Sequence, residues 1–206
     1  IGDTVLLHRA GDVIPKVNKV NLLKRTGSEK IVSLPTNCPS CNSLLHILPD
    51  EVIIRCDNGL NCPTQLVRSI IHFASKDALD IDGLGAKQIE FLQAVGLINN
   101  PVDIFFLEDK NSQSLTKLEN MNGWGKRSVE NLFNSIKEAK RTTLARFIYS
   151  LGIRQIGQSN AKILAKEFRN IKNFINSMLL LAEGDEEKYY QLRSLEGFAD
   201  KIVTDI

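Results

Sequence analysis

The sequence has few of the large rings from which many hydrophobic cores are built. Aromatic residues make up 6% of its 206 residues, with a single tryptophan, so a core must consist mainly of Leu, Ile, Val and Ala, which suits small helical units. The sequence contains no apolar run of about 18 residues, the length that a membrane-spanning helix needs. It begins at Ile1, without a basic stretch followed by an apolar one. We therefore expect no signal peptide here and a start inside a longer protein.

A strong excess of charge of one sign is also absent, since the net charge is +2. The distribution is uneven, however. Residues 63–182 contain 16 basic and 11 acidic side chains, whereas residues 183–206 contain 3 basic and 7 acidic ones. The basic excess in the middle permits contact with phosphate groups, but a similar excess is common on solvated helix faces. Charge alone leaves both interpretations open.

Cysteine is missing from most of the chain and concentrated in one stretch with the spacing C-x2-C-x14-C-x5-C. The four residues are Cys38, Cys41, Cys56 and Cys62. A tight turn in C-x2-C directs two thiolates to one point, and a second pair completes the tetrahedron that zinc prefers. Residues 44–46 and 52–55 are predicted strands, joined by a turn at Pro49-Asp50, which would bring the two pairs together. We predict a structural zinc site whose metal contributes to folding.

Two other uses of these cysteines are less favoured. Two disulfides would suit a secreted protein, but the tight clustering and the missing signal peptide disfavour them. A catalytic zinc is disfavoured because four thiolates leave no open position for water. The histidines, at His8, His46 and His72, are far apart and form no pattern that suggests a catalytic triad.

From Pro63, at the favoured first position of a helix, the sequence predicts short helices and no strand. Four of the breaks between helices resemble one another, at residues 79–87, 118–127, 151–159 and 192–201. The first two contain Gly-apolar-Gly, in the sequences Gly83-Leu84-Gly85 and Gly123-Trp124-Gly125. The third has Gln155 in place of the first glycine and keeps Gly157, and the fourth keeps Gly197 but has Ala199 in place of the second.

This repeat is the helix-hairpin-helix pattern, and its glycines have a chemical reason. A tight turn needs a positive φ, and a glycine lets a DNA phosphate approach backbone N–H groups at the positive end of the next helix. Lys87, Lys126 and Arg127 follow the turns and would add charge-assisted contacts. The alternative is that Gly-x-Gly only turns between packed helices. Repetition with a basic excess favours contacts to the DNA backbone, which carry no base sequence. Trp124 is either a core plug or a residue exposed near DNA.

The first 37 residues have a different character. Residues 4–8 and 13–17 are predicted strands, with Pro15 indicating an edge or a bulge, and residues 31–35 are expected to close the piece. Three short strands make no stable domain without partners. This part of the sequence is typical of the trailing strands of a small β-barrel.

The order of these parts closely resembles bacterial NAD-dependent DNA ligase along essentially the whole chain. Residues 9–15 (Arg-Ala-Gly-Asp-Val-Ile-Pro) resemble the end of that family's OB-fold, the cysteine spacing resembles its zinc finger, and residues 72–85 resemble its first hairpin. The resemblance implies a mainly α fold with partial OB-fold strands, a small four-cysteine zinc finger and an all-α domain of four helix-hairpin-helix motifs. The implied domains are a C-terminal OB-fold remnant at 1–37, the zinc finger at 38–62 and the DNA-binding domain at 63–206.

The resemblance also implies an activity. Enzymes of this family seal nicks during DNA replication and repair: a lysine is adenylated by NAD, AMP passes to the 5′-phosphate, and the 3′-hydroxyl displaces it. That lysine lies in Lys-x-Asp-Gly, a tetrapeptide absent from this sequence. We therefore expect no catalytic residue and no activity in this chain alone. NAD and magnesium would bind the parent enzyme elsewhere, and zinc would bind here.

The expected partner is nicked double-stranded DNA, bound by a monomer in the bacterial cytoplasm at the nucleoid. The residues expected to contact it are Arg9, Val13, Ile14, Gly83, Gly85, Lys87, Gly123, Gly125, Lys126, Arg127 and Gly157. One alternative is a helix-hairpin-helix module of a repair nuclease or helicase system. Another is a zinc-stabilised scaffold for protein contacts, which predicts no salt-dependent DNA binding.

Overall fold

The computed structural model describes residues 1–11, 14–47 and 53–206. It divides into two compact units, Ile1–Asp57 and Asn58–Ile206. All strands of the described residues lie in the first unit, and the second is helical. The predicted fold class is confirmed: mostly helical, with a few short strands and a cluster of four cysteines. The finer division into three domains stays a prediction.

The first unit begins with an antiparallel hairpin of β1 (Val5–Ala10) and β2 (Ile14–Val20). Val5 pairs with Val20 and Ala10 with Ile14, and the register shifts between Leu6 and Leu7. These are the predicted strands at 4–8 and 13–17, although residue 13 lies outside the described residues. Apolar side chains of this hairpin stay largely exposed, and two strands alone bury too little apolar surface to be stable.

The predicted strand at residues 31–35 was wrong, because this stretch adopts no strand. The residue before this stretch does pair with the start of the chain, since the Lys30 N–H donates to the Ile1 carbonyl oxygen at 2.9 Å. The pairing stops there: Ile31 is 98% exposed, and Pro35 has no N–H to donate to a ladder. An apolar segment that has no neighbouring strand gains no backbone hydrogen bonds from an extended conformation, so it does not form a strand.

The second short sheet pairs β3 (Leu45–Ile47) with β4 (Ile54–Cys56). These correspond to the predicted strands at 44–46 and 52–55. Residue 52 and the predicted turn at Pro49-Asp50 lie outside the described residues.

The second unit is built from α-helices joined by short turns and 3-10 segments. In chain order the helices are α1 (Pro63–Ala74), α2 (Ala86–Ala94), α3 (Leu107–Gln113), α4 (Lys126–Ala139), α5 (Leu144–Ser150), α6 (Gln158–Phe168), α7 (Ile171–Ala182), α8 (Glu186–Arg193) and α9 (Asp200–Asp205). Side-chain caps fix several starts: Thr143, Asn170 and Asp185 each accept a backbone N–H from the first turn that follows. No helix within the described ranges reaches the length and apolarity of a membrane span.

Two hydrophobic cores organise the helices, and each is shared by two of the predicted hairpins. The first is built around Ile70, Ile89 and Leu132 and contains the breaks at 79–87 and 118–127. The second is built around Ile148 and Leu164 and contains the breaks at 151–159 and 192–201. We call these breaks hairpins 1 to 4 in chain order. Hairpins 1 and 2 thus form one packed pair, and hairpins 3 and 4 another.

Candidate metal centre and nucleic-acid interface

A tight turn carries the first two cysteines. The Asn42 N–H donates to the Cys38 carbonyl oxygen at 2.8 Å, and the Cys38 N–H donates to the Ser43 carbonyl oxygen at 2.8 Å. Asn42 has a φ of 59°, a left-handed conformation that asparagine tolerates better than most residues. The turn is the one that the C-x2-C spacing predicted.

The other two cysteines reach the same place by separate routes. Cys56 ends β4 opposite Leu45, so the small sheet brings it back beside the first pair. Cys62 precedes α1, and its N–H donates to the Gly59 carbonyl oxygen at 3.1 Å. Gly59 has a φ of +51°, which lets the chain turn between Cys56 and Cys62.

The four sulfur atoms form one cluster. They lie within 4.8 Å of one another, and the sulfurs of Cys41 and Cys56 are 3.5 Å apart. Four thiolates around zinc, each bonded at about 2.3 Å, lie roughly 3.8 Å from one another in a tetrahedron. Cys38 and Cys62 are buried, which shields the cluster from solvent. Because four sulfurs fill all four positions, the residues fit a structural zinc ion and leave no place for a catalytic water.

The disulfide alternative finds no support, because none of the four cysteines, all of which lie within the described residues, forms a disulfide. The Cys41 and Cys56 sulfurs stand well beyond the S–S bond length of about 2.05 Å.

The four hairpins share one backbone conformation at the first turn position. Gly83, Gly123 and Gly197 have φ values of +82°, +84° and +81°, and Gln155 takes the same left-handed region at +60°. The missing glycine of hairpin 3 therefore does not change its turn. Gln155 accepts backbone strain there, and its side chain donates to the Asp205 carboxylate at 2.7 Å.

Each hairpin is closed by the same hydrogen bond, from the N–H of the central apolar residue to the carbonyl three residues earlier. The donors are Leu84, Trp124, Ile156 and Phe198. Three of these side chains are buried. Trp124 is half-buried against the first core, with its ring centroid 6.5 Å from that of Phe91. Of the two interpretations of Trp124, the structure supports the core plug.

Of the two reasons given for the glycines, a positive φ and a close approach of phosphate, the first does not apply to the second glycine of each hairpin. Gly85, Gly125 and Gly157 have φ values of −77°, −150° and −78°, which any residue adopts, so a turn requirement does not explain them. A Cβ at Gly125 or Gly157 would meet no atom within 4 Å. These positions therefore have open space beside the start of α4 and α6.

Exposed cationic side chains follow the second glycine of hairpins 1 and 2. Lys87 follows hairpin 1, and Lys126 and Arg127 begin α4 directly after Gly125; all three are exposed. The Gly125 N–H donates to the Ser128 hydroxyl at 3.0 Å, and that hydroxyl donates to the Gly125 carbonyl oxygen at 2.8 Å. Ser128 was not singled out in the sequence, because the third helical residue of a capping box is usually Glu or Gln. The free first-turn N–H groups of α4 are thus those of Lys126, Arg127 and Ser128.

The remaining expected DNA contacts belong to the first unit. Arg9 lies in β1 opposite Pro15, and Ile14 begins β2; both are exposed. Val13 lies outside the described residues.

Two family models match this chain. Residues 37–63 match the C4 zinc finger domain of NAD-dependent DNA ligase, a span that contains all four cysteines. Residues 146–180 match the helix-hairpin-helix motif, a span that contains hairpin 3, whose sequence departs from Gly-x-Gly.

Curated relatives match over all 206 residues. Proteins named DNA ligase from Rickettsia bellii (strain OSU 85-389), Rickettsia rickettsii (strain Sheila Smith) and Rickettsia canadensis (strain McKiel) are 58%, 57% and 56% identical to it. The match covers 100% of this chain and 30% of each relative, so the chain spans about a third of their length.

Proposed function

We propose that this chain, which belongs to the NAD-dependent DNA ligase family, holds the backbone of nicked duplex DNA while a parent enzyme seals the nick. That enzyme would join a 3′-hydroxyl to a 5′-phosphate through an adenylated lysine and adenylated DNA, using NAD and magnesium bound outside this chain. The Lys-x-Asp-Gly tetrapeptide is absent here, so we expect the isolated chain to transfer no AMP.

The observation that carries this proposal is the open space at the second glycine of hairpins 2 and 3, Gly125 and Gly157. At Gly125 neither φ nor packing requires a glycine, but a phosphate that contacts the backbone does require one. The first-turn N–H groups of α4 and the positive end of its dipole favour an anion at this place. Lys126 and Arg127 would add charge-assisted bonds to phosphate oxygens.

The same chemistry applies to the other hairpins in the proposal. Gly83, Gly85 and Lys87 would serve hairpin 1, Gly123 would shape the turn of hairpin 2, and Gly157 would serve hairpin 3. Arg9, Ile14 and Val13 would approach the DNA beside the nick. Contacts of this kind hold any sequence, because phosphates do not report the bases. This suits an enzyme that must act at any nick.

The four cysteines would hold one zinc ion in this proposal. Bound zinc supplies a cross-link between the turn of Cys38 and Cys41 and the segment from Cys56 to Cys62, in a stretch with few apolar residues of its own. The protein would act as a monomer, in the bacterial cytoplasm at the nucleoid.

The test is binding of the 206-residue chain to fluorescent nicked, intact and single-stranded DNA, measured by anisotropy between low and moderate salt. We expect duplex binding with a modest preference for the nick and a steep loss of affinity as salt rises. The double variant Lys126→Ala/Arg127→Ala should lose about tenfold or more at low salt and reduce the salt slope by roughly one to two.

The matched control removes the same two charges at the other end of α4, in Lys140→Ala/Arg141→Ala. That end lies 14 residues away, roughly 20 Å along a helix. We expect the control to lose little affinity. Equal losses in the two variants would mean that net charge, not the hairpin, governs binding, and an unmodified chain that binds no DNA would contradict the proposed function.

A further inference from the structure

The four hairpins share a backbone, but the residues around their turns differ in charge. The first residue of the helix after each turn is Ala86, Lys126, Gln158 or Asp200. A cation or a neutral residue thus begins the helix after hairpins 1 to 3, and a carboxylate begins the helix after hairpin 4. An exposed acid precedes the left-handed position both in hairpin 4 (Glu196) and in hairpin 1 (Asp82), so the difference in charge lies at the first helical position.

Hairpin 4 also lacks the open space that hairpins 2 and 3 have beside their second glycine. Ala199 occupies the position of Gly85, Gly125 and Gly157, with a φ of −84°. Since the second position needs no glycine for the turn, Ala199 leaves the fold unchanged and places a methyl group where a phosphate would meet the backbone.

The carboxylate of Asp200 is held in place beside this turn. Arg193 Nε donates to Asp200 Oδ1 at 2.6 Å, and the Tyr189 hydroxyl donates to the same oxygen at 3.0 Å. Arg193 Nη1 donates to the Phe198 carbonyl oxygen at 3.0 Å. Hydrogen bonds from Arg193 and Tyr189 hold the pKa of Asp200 below its ordinary value, so the group is ionised at neutral pH.

We infer that hairpin 4 excludes DNA phosphate and serves as the packing partner of hairpin 3, so that the duplex is gripped by hairpins 1 to 3 and Asp200 is the residue that bars the fourth. This inference rests on the proposed function. A carboxylate at the first helical position repels any phosphate at that turn, whereas Lys126 at the same position of hairpin 2 attracts one. Arg193 is bonded to Asp200 and to the turn itself. Lys201 has the position of Lys87 and Arg127 but follows Asp200 directly, so the first two helical residues carry no net charge, whereas Lys126 and Arg127 carry two positive charges in hairpin 2.

The surroundings agree with this role. Residues 183–206 carry seven acidic and three basic side chains, which lowers the affinity of this end of the chain for any polyanion. Phe198 fills the second core at 2% exposure, so hairpin 4 contributes buried surface even though it offers no anion site.

The test exchanges the two kinds of turn in the full 206-residue chain. Ala199→Gly/Asp200→Lys gives hairpin 4 the residues of hairpin 2, and Gly125→Ala/Lys126→Asp does the reverse. With anisotropy on an intact duplex at low salt, we expect the first variant to bind roughly three- to tenfold more tightly and to steepen the salt slope by about 0.9, the value of one added phosphate contact. The second variant should lose about tenfold or more.

Glu183→Lys is the control for bulk charge, because it adds two units of positive charge at the end of α7, away from any hairpin turn. Asp200→Asn keeps an oxygen acceptor for Arg193 and Tyr189 and should show a smaller gain with an unchanged melting temperature. Unchanged or weaker binding by Ala199→Gly/Asp200→Lys with a native melting temperature would overturn the inference, as would an equal gain in Glu183→Lys.

A second measurement needs no variant. On titration of the unmodified chain with a short duplex, backbone amide resonances at residues 125–128 should shift and those at residues 199–201 should not. Equal shifts at both turns would refute the exclusion of phosphate from hairpin 4. Loss of binding in Gly125→Ala/Lys126→Asp tests the proposed function separately: without that loss, the grip by hairpins is itself wrong.

Discussion

The imidazole of His72 is bonded to the main chain near the end of α5. Its Nε2 lies 2.8 Å from the Tyr149 carbonyl oxygen, and the two rings meet edge to face with centroids 4.8 Å apart. A carbonyl oxygen only accepts, so Nε2 carries the proton in this contact. The bond joins α1, in the first core, to α5, in the second, and it assigns His72 a structural role.

Gly152→Ala should destabilise the protein through this contact. Gly152 has a φ of +66°, and a Cβ there would lie 3.3 Å from His72 Cδ2. Backbone strain and crowding together should therefore lower the free energy of unfolding by about 1–3 kcal/mol. Chemical denaturation followed by circular dichroism measures it. The control is Gly96→Ala, with a φ of +74° and nothing within 4 Å, which isolates the backbone strain. An equal loss of unfolding free energy in both variants would show that crowding against His72 contributes nothing to the destabilisation.

Arg146→Gln should weaken the connection between α5 and the segment that joins α1 to hairpin 1. Arg146 Nε donates to the Ala78 carbonyl oxygen at 2.7 Å, and Nη2 donates to that of Lys76 at 2.6 Å. We expect a loss of about 1–3 kcal/mol in denaturant unfolding, because two charge-assisted bonds are removed. The matched control is Arg141→Gln, whose side chain is 82% exposed and 4.0 Å from Glu138; surface pairs of this kind contribute about 0–1 kcal/mol. Similar losses in the two variants would contradict the specific role of Arg146.

Gln155→Gly should stabilise the protein. A non-glycine residue in the left-handed region costs roughly 1 kcal/mol, and the exposed bond to Asp205 that would be lost contributes about 0.5 kcal/mol or less in return. We expect a net gain of a few tenths of a kcal/mol or more in unfolding free energy. Gln155→Ala keeps the strained φ but loses the bond, so it should be less stable than the unmodified chain. A less stable glycine variant would mean that the Asp205 bond outweighs the strain.

Removal of zinc should destabilise residues 36–47 and leave the helices folded. Elemental analysis should find about one zinc per chain, lost in Cys41→Ser. Neither hydrophobic core contains a cysteine, so the helical signal in far-ultraviolet circular dichroism should remain mostly intact when the metal is chelated. Amide exchange within residues 36–47 should accelerate. Collapse of the helical signal on chelation would show that the helices depend on the metal as well.

The sequence was most informative where function depends on residues close together in the chain. The C-x2-C turn and the return of Cys56 beside it are local events, so spacing was enough to predict that the sulfurs would meet. The same holds for the hairpins, whose turn, apolar plug and following helix are set within about ten residues. The failure at residues 31–35 has the opposite cause: a strand needs a neighbour, and sequence does not reveal whether one is aligned to receive it.

The repeat of four turns, the cysteine cluster and the helical character of residues 63–206 were thus determined by the sequence itself, through hydrophobic spacing and the special backbone of glycine. Only the tertiary structure decided the rest. It placed Gln155 in the left-handed region because packing of Ile156 into the second core outweighs the strain. It buried part of Trp124 against the first core and paired the hairpins by shared cores. Each of these depends on contacts between segments far apart in the chain, whose energies no local pattern contains.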